Sequence, residues 1–188
     1  MSNTESLVIG ATQQLSGRWT IPILLGLEAS GGRFTPLQNQ LGIAPTRLSE
    51  NLKNLVERGI IHHLSPYERR HPLLPEYKLT DQGKLWREMA IAIQHAEAQL
   101  EYGALSAKAW SLPVLMTVGY EYGHFGDIRR MLDGVTPRML SMRLDEFNQD
   151  GLIRKLMTEQ PRPTFLYSLT GQTQKPIRSL AADLASLL

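Results

Sequence analysis

Cysteine is absent from the 188-residue sequence, which excludes disulfides, thiol redox switching and thiolate metal ligation. Long apolar runs are also absent: none approaches the roughly 18 residues of a membrane span. The first residues, MSNTESLVIGATQQ, lack the basic stretch of a signal peptide. A cytoplasmic protein is therefore expected. Charge of one sign is nearly missing, with 20 Lys/Arg against 18 Asp/Glu and a net charge of +2. That balance is too weak to argue for a polyanionic partner by itself. Its distribution is uneven. Residues 1–90 carry ten basic against eight acidic side chains, whereas residues 91–188 carry ten of each. Catalytic signatures are missing as well: there is no nucleophile elbow, no phosphate loop and no zinc pair at helical spacing. His62 and His63 are adjacent on an expected strand, so they face opposite sides and cannot chelate one ion. Asp145 and Glu146 are adjacent on an expected helix, about 100° apart, and read as solvated charges. No enzyme, cofactor or metal is expected.

What is present is a stretch used twice. Residues 42–61, GIAPTRLSENLKNLVERGII, align without a gap with 134–153, GVTPRMLSMRLDEFNQDGLI, at an offset of 92. Seven of the twenty positions are identical: Gly42/Gly134, Pro45/Pro137, Leu48/Leu140, Ser49/Ser141, Leu52/Leu144, Gly59/Gly151 and Ile61/Ile153. Unrelated segments would share roughly one in twenty to one in fifteen. The match indicates a duplicated structural unit and two domains, residues 1–102 and 103–188. Units this small hold only a marginal core, so the copies are expected to pack on each other.

Patterning within each copy gives the elements. Helices are expected over about 4–15, 19–29 and 34–41, the second ended by Ser30-Gly31-Gly32. Pro45 then sits where the first position of a helix would be, Leu48, Leu52 and Leu55 share a face, and Gly59 suits its end. Two short helices joined by a tight turn, the second amphipathic, form a helix-turn-helix. Residues 60–67 and 77–80 read as a β-hairpin around a Pro- and Arg-rich tip, and Thr80 can cap a long helix over about 81–102. The second copy repeats this order. LSAKAW at 105–110 echoes LSGRW at 15–19 with one inserted residue. A late helix over about 137–150, a hairpin of 152–158 and 164–170, and a last helix at about 174–187 follow. The expected fold is mainly α with small β-hairpin wings (α+β): two tandem winged helix-turn-helix domains packed as an intramolecular pseudo-dimer.

Each copy resembles the HxlR-type (MarR-like) winged-helix regulators. The resemblance rests on SGRW at 16–19, on Arg33, Phe34 and Leu37, on the Gly-Ile…Leu-Ser-x-x-Leu-x-x-Leu of 42–55, on Gly59-Ile60-Ile61, and on the Tyr-x-Leu-Thr-x-x-Gly of 77–83. The second copy keeps Phe125, Gly134 to Ile153 and Tyr167 to Thr170, with Thr173 where Gly83 stands. The resemblance implies a transcription regulator that binds double-stranded DNA, at the nucleoid. Members of the family usually carry one domain per chain and act as homodimers, and many sense through a cysteine. This chain has two domains and no cysteine, so thiol sensing does not carry over, and no small-molecule effector is indicated.

The outward positions of the helix 45–57 are Thr46, Arg47, Glu50, Asn51, Lys53 and Asn54. Arg suits guanine O6/N7, Asn suits adenine, and Thr suits a phosphate or a thymine methyl. The second copy offers Arg138, Met139, Met142, Arg143 and Glu146. The amides are gone, so the copies would read different bases, or the second would grip backbone and apolar edges. A solvated polar helix face is the bland reading of both. In the family's wing, the tip residues Arg69, Arg70 and His71, and Arg162 in the second copy, would lie on phosphates or in a minor groove. An ordinary charged loop is the alternative. Dimeric helix-turn-helix proteins engage half-sites about 34–36 Å apart, and one chain would supply both. The rival reading is a tandem winged-helix protein-interaction module, like chromosome-segregation accessory proteins, with no specific DNA site; Met139 and Met142 suit such a face.

Overall fold

The computed structural model describes residues 3–159 and 163–188. Nine α-helices and two small antiparallel hairpins are seen among these residues. The chain gathers into two compact units, Arg18–Ile91 and Met1–Gly17 together with Ala92–Leu188. Helix α1 (Asn3–Leu15) lies against helices of the second unit, although the repeat places its sequence in the first copy. No helix among the described residues is long and apolar enough to cross a membrane.

The first winged unit holds α2 (Thr20–Ala29), α3 (Phe34–Leu41), α4 (Pro45–Glu57), the strands β1 (Ile61–His63) and β2 (Tyr77–Leu79), and the first half of α5 (Asp81–Leu100). Pro45 opens α4 at a position whose N–H would have no intrahelical partner. Leu48, Leu52 and Leu55 recur at three- to four-residue spacing and are 0%, 0% and 2% exposed, so one stripe of α4 is committed to the core. Gly59, at φ +69, turns the chain out of the helix. Its sequel Ile60 receives the N–H of Thr80, and the Thr80 hydroxyl donates to the Gly59 carbonyl at 2.8 Å. Thr80 Oγ1 also accepts the Gly83 N–H at 2.9 Å, the expected cap of α5. In the hairpin, Ile61 pairs with Leu79 and His63 with Tyr77.

The second winged unit adds the last half of α5, α6 (Ser111–Gly119), α7 (Phe125–Met131), α8 (Pro137–Gln149), β3 (Ile153–Thr158), β4 (Thr164–Leu169) and α9 (Gly171–Leu187) to α1. Its core gathers Val8 and Leu15 of α1, Leu115 of α6, Leu140, Leu144 and Phe147 of α8 and Leu184 of α9, all 0% exposed. The scaffold bonds repeat. Thr170 N–H donates to Leu152 and its hydroxyl to Gly151, as Thr80 does to Ile60 and Gly59. Tyr77 N–H meets the Gly32 carbonyl and Tyr167 N–H that of Gly123, each at 2.8 Å. Gly32 is required there: it sits at φ +73, and a Cβ would fall 2.1 Å from the Tyr77 oxygen. Each copy is therefore a winged helix-turn-helix, as the patterning predicts.

The differences from expectation lie at ends and tips. Helix α9 starts at Gly171 rather than 174 and tolerates Pro176 in its second turn. The strands of the first wing are three residues each, whereas those of the second are six.

Candidate nucleic-acid interface

The apolar stripe of α4 fixes what the rest of the helix presents. Thr46, Arg47, Glu50, Lys53 and Asn54 are exposed, and Asn51 is half-buried with its amide donating to the Arg47 carbonyl at 2.8 Å. Arg47 stands 3.6 Å from Glu50, and Lys53 3.8 Å from Glu57, with all four side chains more than 60% exposed. Pairs this wet contribute little to stability, so their cations exchange readily onto another anion.

The first wing is not a bare arginine tip. Arg69 turns inward: its guanidinium donates to the carbonyls of Leu64 (2.7 Å) and Pro72 (3.3 Å) and to His63 Nε2 (3.0 Å). An arginine can only donate, so Nε2 accepts and this bond requires neutral His63. Desolvation, then the Arg69 charge, holds the His63 pKa below its usual value. Its ring stacks on Tyr77 at 4.7 Å. Arg70 bonds Glu76 at 3.1 Å and the Gly31 carbonyl at 2.9 Å, tying the wing to the turn between α2 and α3. Glu76 is 4% exposed. The backbone N–H of Arg70 and then its guanidinium hold that carboxyl below its usual pKa, against desolvation. Both arginines thus shape the loop. What the tip exposes is His71 together with Tyr67 (99%), Leu73 (83%) and Leu74 (52%), and Arg70 keeps 67% of its side chain exposed despite these bonds.

Helix α8 is seated the same way and capped by Thr136 Oγ1, which accepts the Met139 N–H at 3.2 Å. Arg138 and Met142 are exposed, and Met139 is half-buried. The expectation that Arg143 faces outward is not met. Its side chain is only 12% exposed, donating to Glu146 at 2.6 Å and to the Ala109 carbonyl at 3.0 Å. Position 143 lies on the flank of α8 nearest the segment before α6, and the inserted residue there brings a carbonyl within reach. Arg162 lies outside the described residues. In the second wing, Lys155 spans Asp145 (3.5 Å) and the Phe165 ring (4.5 Å). Around it Leu156, Met157 and Phe165 are exposed, beside a groove of about 440 Å³ between α7, α8 and the wing. No cluster of metal-ligating side chains occurs among the described residues.

Four residues of this neighbourhood were not singled out by sequence reasoning: Glu76, Tyr102, Lys108 and Asp150. Tyr102 donates to Asp150 at 2.5 Å, and Lys108 to Glu146 at 2.5 Å. The Lys108 bond, then that of Arg143, lowers the Glu146 pKa, while desolvation and then the Asp150 bond raise that of the Tyr102 phenol. The inserted residue in LSAKAW was the available signal for Lys108; Glu76 looked like any loop carboxylate.

The family model for the HxlR-like helix-turn-helix matches residues 14–101 and again 105–186. The uncharacterized HTH-type transcriptional regulator YybR of Bacillus subtilis (strain 168) is 38% identical over 55 residues, 28% of this chain and 44% of that protein. The putative regulatory protein MalR of Fusobacterium mortiferum is 37% identical over 62 residues, 32% of this chain and 58% of that protein. The chain thus spans about half the length of these curated relatives. No solved structure matches significantly.

Proposed function

The chain belongs to the HxlR-like helix-turn-helix family, with two copies of its domain, and from that premise we propose that it is a sequence-specific double-stranded DNA-binding transcriptional regulator. Helices α4 and α8 enter successive major grooves, and the wings lie on the flanking backbone or minor groove. One chain supplies both halves of the site, in the cytoplasm at the nucleoid. The supporting observation is α4. Its leucine stripe is wholly buried while Thr46, Arg47, Lys53 and Asn54 are exposed on the opposite face, which is the side-chain chemistry that bonds base edges and phosphates.

The test is anisotropy titration of the full chain against an operator obtained by genomic footprinting. With 6–10 phosphate contacts, affinity falls by about 10³–10⁵ between 50 and 200 mM salt. Stoichiometry at saturation reads one chain per site; two chains per site would remove the single-chain pairing of half-sites.

A second reading draws on one observation. Met142, Leu156, Met157 and Phe165 are 47%, 53%, 66% and 43% exposed around α8 and its wing, an adaptable apolar face suited to a polypeptide. A protein-interaction module would show no footprint and little salt dependence.

A further inference from the structure

Apart from their wings, the two copies differ where the second has one residue more than the first. LSGRW at 15–19 brings Trp19 to the start of α2 at φ −114, whereas LSAKAW at 105–110 brings Trp110 to the start of α6 at φ +68. A left-handed tryptophan is costly backbone, and such strain persists only where its surroundings hold it. What surrounds it is a set of bonds to α8. The carbonyl of Ala109 accepts Arg143 Nε at 3.0 Å, and Lys108 Nζ reaches Glu146 at 2.5 Å. Arg143 Nη1 closes on the same carboxylate at 2.6 Å. One turn further along α8, Tyr102 from the same connecting segment donates to Asp150 at 2.5 Å and lies 3.5 Å from Glu146. Glu146, 24% exposed, is the hub. The segment is itself anchored on the helix it leaves, since the Ser106 N–H donates to the Glu97 carboxylate at 2.6 Å.

The first copy keeps a cation, Arg18, where Lys108 stands, but it lies over the Trp19 ring at 5.1 Å, and the matching helix carries none of the α8 partners. Asn51, Asn54 and Arg58 stand where Arg143, Glu146 and Asp150 do. Asn51 bonds its own helix and Arg58 lies over the Trp86 ring at 4.9 Å. Asn54 stays exposed.

Resting on the DNA-reading proposal, we propose that the C-terminal half of α8 is a positioning device and not a reading surface. Tyr102, Lys108, Arg143, Glu146 and Asp150 latch the helix to the connector. Base contact in the second half-site is left to Arg138 and Met142 in its first turns. A charge-assisted bond contributes more than a neutral one, and the five groups are joined through Glu146 and Tyr102, so they act as a unit. The operator is therefore polarised, with one half-site read along the length of α4 and a shorter, more permissive one under α8.

Two measurements on the full chain test this. The first needs no DNA: amide hydrogen exchange over residues 140–150 in Tyr102→Phe, Lys108→Ala and Glu146→Gln. Each variant raises exchange there by about tenfold, the loss of one charged hydrogen bond, while residues 45–57 are unchanged. Unchanged exchange over 140–150 in all three would overturn the latch. The second is affinity for a panel of single-base variants of the selected operator. Arg143→Ala and Tyr102→Phe weaken every sequence by a similar factor and keep the preference profile, with Arg143→Lys partly restoring affinity. Arg138→Ala flattens preference at one or two base pairs. Loss of preference at one base pair in Arg143→Ala, with overall affinity kept, would overturn the positioning role. Faster exchange in the latch variants combined with no selectable operator would instead overturn the DNA reading and the polarised operator with it, leaving the latch established, so the two failures are distinguishable.

Discussion

Arg47→Ala separates folding from reading. The guanidinium is 71% exposed and its neighbour Glu50 67% exposed, 3.6 Å away. A pair this wet contributes at most about 0.2–1 kcal/mol, and surface truncations usually stay within about 0.5 kcal/mol. Alanine also has the better helix propensity, and the leucine stripe beneath it is untouched. The urea midpoint is therefore expected to stay within error of the parent. Binding responds differently. An arginine that bonds a guanine edge contributes about 1–3 kcal/mol of discrimination, which is roughly 5- to 150-fold in Kd. Anisotropy at fixed salt against the selected operator reads this directly. The salt slope refines it: loss of a phosphate contact reduces the slope by about 0.9, whereas loss of a base contact leaves it unchanged and flattens preference at one position. Glu50→Gln acts in the opposite sense, strengthening non-specific binding by removing a negative charge from the same face. Unchanged affinity in Arg47→Ala, with the urea midpoint also unchanged, refutes α4 as the reading helix.

Further outcomes follow from the packing. Leu52→Ala removes a side chain that is 0% exposed in α4 and costs about 2–5 kcal/mol in urea unfolding. Gly32→Ala places a methyl on the Tyr77 carbonyl at a positive φ; it destabilises the first unit by about 1 kcal/mol or more and speeds amide exchange of Tyr77. Glu76 has its folded pKa held below the ordinary 4.5 by the N–H and guanidinium of Arg70. Its stabilising effect is fully present above the unfolded value and is lost as pH falls through the folded one. Unfolding midpoints measured from pH 7 down to pH 3 fall more steeply for the parent than for Glu76→Gln; equal slopes refute it. His63 works the other way round, because a base with a depressed folded pKa binds its proton more readily unfolded. Its contribution is complete above about pH 6.5 and declines below, so the Arg69 brace loosens on acidification, read as a lower protection factor of the Leu64 amide at pH 5 than at pH 7.

The scaffold of both copies was legible because it is written in local patterns. Pro45 and Pro137 mark helix starts, Gly59 and Gly151 mark ends, and the leucines between them repeat at the helical period. Those patterns act through near neighbours, and the duplication shows each one twice. Thr80 as a cap is likewise read from spacing. The side chains proposed to touch DNA were less legible. Thr46, Arg47, Lys53 and Asn54 are exposed as expected, since facing away from a leucine stripe follows from helical geometry. Arg69, Arg70 and Arg143 are tied to internal acceptors instead, and periodicity carries no information about that. Arg70 finds its partners at Glu76 and Gly31, and Arg143 finds one at Ala109, 34 residues away.

From the sequence alone came the duplication, the helix-turn-helix, the wings and the absence of cysteine. These depend on composition and on contacts within a few residues. Only the tertiary structure decided which cations are available and which are spent on holding the wings and α8. It also decided that α1, first in sequence, lies in the core of the second unit. An arginine's role is set by the acceptors within about 3 Å of its guanidinium, and those acceptors come from segments that sequence spacing cannot bring together.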